Sequence, residues 1–140
     1  MPVTGRKPKE QKRHRVQPRH EWQEVEDVPF AGGPKLPAKL QDGRSWPKRT
    51  QEWWAVISSM PHCVLWDESD WQFALDTAIV AAAFHGGDLR QADVLLRREK
   101  VLGTTMDFRR DLRIRYVEPA IEAPAGVSVM DDFRQRLRNE

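Results

Sequence analysis

The run ALDTAIVAAAFHGG, Ala74–Gly87, decides how this chain folds. From Ala78 through Phe84 no residue carries a charge, and Gly86 and Gly87 stop the pattern. The stretch reads as a helix with almost no polar side, and such a helix must be covered on every face. A chain of 140 residues has little to cover it with. The expectation is therefore that sister copies share the burial, with Trp71, Leu75, Ile79, Ala82 and Phe84 as the oligomer interface.

The helix has alternative starts in DESDW: Asp67 with Asp70, or Ser69 with Gln72 in a capping box. After the two glycines, Asp88 and Gln91 restart a helix carrying Leu89, Ala92, Leu95 and Leu96, which Gly103 closes. Asp88 and Leu89 stand where a DNA-reading helix would offer polar side chains, so the pair reads as a packed antiparallel hairpin rather than a helix-turn-helix. Thr104 or Thr105 caps a fourth helix expected to run to Pro119. There Phe108, Leu112 and Tyr116 form one stripe and Arg109, Arg110 and Arg113 lie outside it. That basic face is either a phosphate-contacting surface or a solvated one balanced by Asp107, Asp111 and Glu118.

Upstream, a first helix is expected from Pro47 to Met60, with Trp53, Trp54, Ile57 and Met60 as core anchors and Pro61 as its end. His62 reads as an ordinary loop residue, His85 as a group beside a helix C-terminus, and Cys63 as a small buried hydrophobe. Residues 21–45, acidic and then rich in glycine and proline, read as a linker, with Trp22 and Phe30 free to pack on a neighbouring surface. Residues 1–20 hold Arg6, Lys7, Lys9, Lys12, Arg13, Arg15 and Arg19 against Glu10 alone and have few apolar side chains. This is a disordered basic arm suited to DNA phosphates. In the tail, DDFRQRL from Asp131 reads as a short amphipathic helix with Phe133 and Leu137 on one side, a candidate tether that needs a partner to be stable.

The fold class that follows is all-α. A small helical domain with a central antiparallel hairpin spans residues 46–118, preceded by the arm and linker (1–45) and followed by the tail (119–140). Hydrophobic residues are 39% and charged residues 31%, a soluble composition. No apolar run reaches the ~20 residues needed to span a bilayer, so no membrane partner is expected and the chain should stay in the cytoplasm where it is made. A phosphate-cradling glycine loop, HExxH, paired cysteines and a glycine-flanked serine are all missing from the sequence, so it reads as a non-enzyme without metal or cofactor.

WDESDWQFALDTA from Trp66, LLRREKVLGTT from Leu95 and RRDLRIRYVEP from Arg109, taken in that order, resemble the small terminase subunits of tailed phages that infect actinobacteria. The resemblance covers residues 46–118 and is joined by Trp53, Trp54 and the basic GRKPK of the arm. Family members often have proline after the capping threonine, where this chain has Met106. The resemblance implies a host-cytoplasmic, non-catalytic packaging factor that assembles into a homo-oligomeric ring. It would recognise double-stranded viral DNA and hand it to the large terminase subunit, which holds the ATPase and nuclease. The rivals are a dimeric helix-turn-helix transcriptional regulator and a structural virion protein.

Overall fold

The structure, a computed structural model, describes residues 21–120. The basic arm with Arg6 to Arg19, and the tail with Phe133 and Leu137, lie outside the described residues. Four helices make up most of the fold: α1 (Lys48–Ile57), α2 (Glu68–His85), α3 (Ala92–Leu102) and α4 (Met106–Asp111). A 3-10 helix, Pro61–Leu65, links α1 to α2.

The central helix begins as one of the two alternatives foresees. The Asp67 carboxylate accepts from the N–H groups of Ser69 and Asp70 at 3.1 and 3.2 Å. Asp70 in turn accepts from the Asp67 N–H at 3.0 Å, so the acidic cluster DESD is a reciprocal cap. Gly86 ends the helix and Gly87 takes φ +110, which lets the chain turn into α3. The interior face of α2 is small: Ala74, Thr77, Ala78 and Ala81 have no exposed surface. Short side chains allow close approach, and α2 packs against both α1 and α3.

Two expectations need correction. First, the fold is mostly helical but carries a two-stranded parallel sheet, β1 (Gln23–Glu26) against β2 (Ile114–Val117), in register Gln23↔Ile114 to Glu26↔Val117. The fourth helix therefore does not reach Pro119, and Phe108, Leu112 and Tyr116 do not share one helical stripe. Leu112 closes α4, and Arg113 adopts a left-handed φ of +60 that redirects the chain. Past that turn Ile114, Tyr116 and Val117 are β-branched or aromatic, and pairing with β1 outweighs one more turn of helix.

Second, residues 28–46 are not a free linker. They lie along the helices as an extended strap, and tryptophan N–H groups hold them. Trp54 Nε1 donates to the Pro34 carbonyl at 3.0 Å and Trp46 Nε1 to the Pro37 carbonyl at 2.8 Å. Proline-rich backbone forms few regular hydrogen bonds, so its carbonyls are free to receive these donors. Phe30 stacks on Trp71 with ring centroids 5.9 Å apart, and Phe30, Leu36 and Leu40 pack against the core. Gly33 is required there, because a Cβ would come within 2.9 Å of the Ser58 carbonyl oxygen and 3.0 Å of the Trp71 ring.

Candidate nucleic-acid interface

Positive charge is unevenly divided along the chain. Residues 21–120 hold thirteen Lys and Arg against sixteen Asp and Glu, a net of −3, whereas residues 1–20 hold seven against one. The folded part would repel a polyanion on average, so any attraction must come from the arm or from a local cationic corner.

One such corner stands where the arm joins the fold. Gln23 N–H donates to the Arg113 carbonyl at 2.8 Å, which fixes the start of β1 against the turn after α4. Trp22, 37% exposed, has two guanidinium groups near its ring, those of Arg113 and Arg115 at 5.6 and 5.5 Å from the centroid. Arg115, on β2, also reaches Glu24 across the strands at 2.5 Å. Arg110, three residues before Arg113, is exposed, and its ion pair with Asp107 at 3.6 Å is an exposed one that holds it weakly. Arg113 itself has φ +60, in a backbone region that arginine seldom adopts.

The three arginines read from the sequence thus separate. Arg110 and Arg113 are both exposed. Arg109 is half-buried: its Nη1 donates to the Gly103 carbonyl at 3.2 Å and its guanidinium lies 4.8 Å over the Tyr116 ring. It joins α4 to the sheet. Arg115 was missed, since a helical reading of Arg109–Tyr116 gives no reason to group it with Trp22; only the strand pairing does so.

Behind this corner sits a buried polar cluster that a loop reading of His62 misses. His62 Nε2 is 2.7 Å from the Leu102 carbonyl, which can only accept, so Nε2 carries the proton and Nδ1 accepts from the Tyr116 hydroxyl at 2.6 Å. Burial holds this histidine below its ordinary value of 6.5, with Arg109 adding to the effect, and lifts Tyr116 above its ordinary 10.0. Cys63 is fully buried, and burial pushes its thiol up to about 12, so it stays unreactive. His85 is drawn to Thr50, Nδ1 to Oγ1 2.8 Å, rather than left at the helix end alone.

The residues expected at an oligomer interface also divide. Trp71 and Ala82 are 9% and 5% exposed in the isolated subunit and belong to its own core. Leu75 and Phe84 are half-buried, and Ile79 is 38% exposed. Ile79 and Ala83 border an open groove of about 500 Å³ closed on its far side by Leu40 and Pro47. Much of the cover that α2 needs therefore comes from α1, α3 and the strap. At the head of α3, Asp93 and Val94 are exposed, a poor surface to set against phosphates or base edges.

Compared with known families, the sequence matches the profile of the phage terminase small subunits over residues 3–138, nearly the whole chain. The chain belongs to that family. No curated protein and no solved structure matches it. A small terminase subunit serves phage DNA packaging, in association with DNA and the large terminase subunit, and members are generally non-catalytic. The match takes in both the basic stretch and most of the tail. Among the described residues, no helix of this small terminase is long and apolar enough to cross a membrane.

Proposed function

We propose that this protein is the DNA-recognising component of a packaging motor. It would work as a ring of identical subunits that binds duplex viral DNA and delivers it to the large subunit. The observation that carries the reading is the division of charge: a net-negative body over residues 21–120, and a stretch with seven cations that precedes Trp22 and Gln23, which lie beside Arg113 and Arg115. Such an arm follows the phosphate backbone, while the corner fixes where it leaves the subunit. Arg109 contributes through its hold on the turn and only in part by direct contact.

Subunit contacts form around Ile79, with Leu75 and Phe84 at the margin, and Trp71 and Ala82 support that surface from within. Phe133 and Leu137 serve as the tether to the large subunit. A ring sets several arms beside one another, so modest contacts in each add up through effective concentration.

The test is a salt titration of duplex binding. In the full chain, log affinity should fall against log salt with a slope of about 0.9 for each phosphate neutralised. Removing residues 1–20 should weaken binding and flatten that slope while leaving assembly intact. An unchanged slope would take the arm out of the mechanism. Arg113→Ala should lower the slope by less, and equally for all DNA sequences.

A further inference from the structure

The edge of β1 that faces away from β2 opens onto an apolar groove to which none of these contacts extends. The groove, about 390 Å³, is walled by Val25, Glu26, Val28, Pro29, Val64 and Leu65, and no residue of β2 reaches it. Val28, Val64 and Leu65 are 47%, 60% and 47% exposed, large apolar side chains set close together beside a strand.

The backbone of β1 says what shape of ligand fits. Gln23 and Asp27 direct their N–H groups to β2, to the carbonyls of Arg113 and Val117 at 2.8 Å each. Alternate residues of a strand point opposite ways, so Glu24 and Glu26 aim their N–H groups at the groove, without a ladder partner among the described residues. Unpaired edges of this kind receive extended chains, the backbone giving affinity and alternate side chains giving specificity.

Charge narrows the choice further. Glu21, Glu24, Glu26 and Asp27 crowd the edge; Glu24 is engaged by Arg115, while Glu26 and Asp27 form no ion pair among the described residues. Two such edges would repel each other, which disfavours pairing with a second copy. The chain's own residues 121–130, IEAPAGVSVM, contain no lysine or arginine, and the arm lacks an alternating apolar pattern.

We propose that this edge binds an extended segment of another polypeptide in which apolar and basic side chains alternate, adding it to β1 as a third strand. The valines and leucine of the groove take the apolar positions, Glu26 faces the basic ones, and the N–H groups of Glu24 and Glu26 supply the ladder. This site lies beyond β1, on the side away from β2, and does not depend on DNA binding.

The experiment uses the full-length protein, labelled for amide spectroscopy, and a short synthetic probe of alternating valine and lysine. The probe should move and protect the Glu24 and Glu26 amides and shift Val64 and Leu65. A probe of valine and glutamate, and one N-methylated along its pairing edge, should each bind on the order of tenfold more weakly. Val64→Asp, at an exposed position that leaves the core untouched, should remove binding, and Glu26→Lys should reverse the preference between the lysine and glutamate probes. The proposal is overturned if the N-methylated probe binds equally well. It is also overturned if the two amides are already protected in the protein alone, which would mean the chain's own segment fills the edge. Loss of assembly mass on adding the probe, the sign of a second copy at the edge, would overturn it too.

Discussion

His62 shows how much one side chain can carry. Fully buried, it ties the end of α3, through the Leu102 carbonyl, to β2 through the Tyr116 hydroxyl, and the indole of Trp66 meets its ring edge-on at 5.7 Å. Because burial lowers its folded value below 6.5, the unfolded chain binds the proton more readily. Its contribution to stability is thus complete above about pH 6.5 and is lost as pH falls toward the folded value. His85, held below 6.5 mainly by burial and also by Arg49, acts with the same sign, so urea unfolding at pH 7.5 and pH 5 should show a fall in stability and ring titration by NMR should place His62 below 6.5. Gly103 beside it has φ +71, and a Cβ there would come within 3.1 Å of both His62 Nε2 and Leu112 Cδ1. Gly103→Ala should cost about 1–3 kcal/mol in the same unfolding assay, and a neutral result would mean the turn has room that its geometry denies. In the sequence Gly103 reads correctly as a helix stop, but nothing adjacent to His62 announces partners forty and fifty-four residues away.

At the level of elements, the helices were legible where apolar spacing and caps agreed. Pro47 and Pro61 bracket α1, Asp67 and Asp70 start α2, and Gly86, Gly87 and Gly103 mark the ends of α2 and α3. The strap and the sheet were not legible, for different reasons. A Gly/Pro-rich stretch is irregular whether it floats or is pinned, and only the indoles of Trp46 and Trp54 decide it. A four-residue strand such as IRYV overlaps the helical spacing of Phe108, Leu112 and Tyr116, and its partner lies across the whole helical unit. The same distance hid Arg115 and Trp22 from the reading of the basic corner. Trp54→Phe keeps the buried ring but leaves the Pro34 carbonyl without its donor. It should lower stability by about 1 kcal/mol and speed amide exchange across residues 28–40 more than in α2. Uniform faster exchange would mean that the strap is not held at this point.

For the whole molecule, the proposed function amounts to a separation of tasks along the chain: a helical body that would bring copies together, and arms that would meet DNA. The strap takes over much of the shelter of α2 that the sequence suggested sister copies would give, so the proposed association would rest on a narrower surface around Ile79. That makes Ile79→Asp an informative variant. At 38% exposure the new charge stays hydrated in the single subunit, so the fold should persist while assembly is lost; a variant that still assembles would move the interface elsewhere. In the proposed assembly, several arms side by side would let a chain of formal charge +2 hold a polyanion. The most direct measurement is native mass spectrometry of the full-length protein with and without duplex DNA. A single closed oligomer, unchanged in copy number when it takes up one duplex, is the predicted result; a lone subunit at high concentration, with or without DNA, would contradict it.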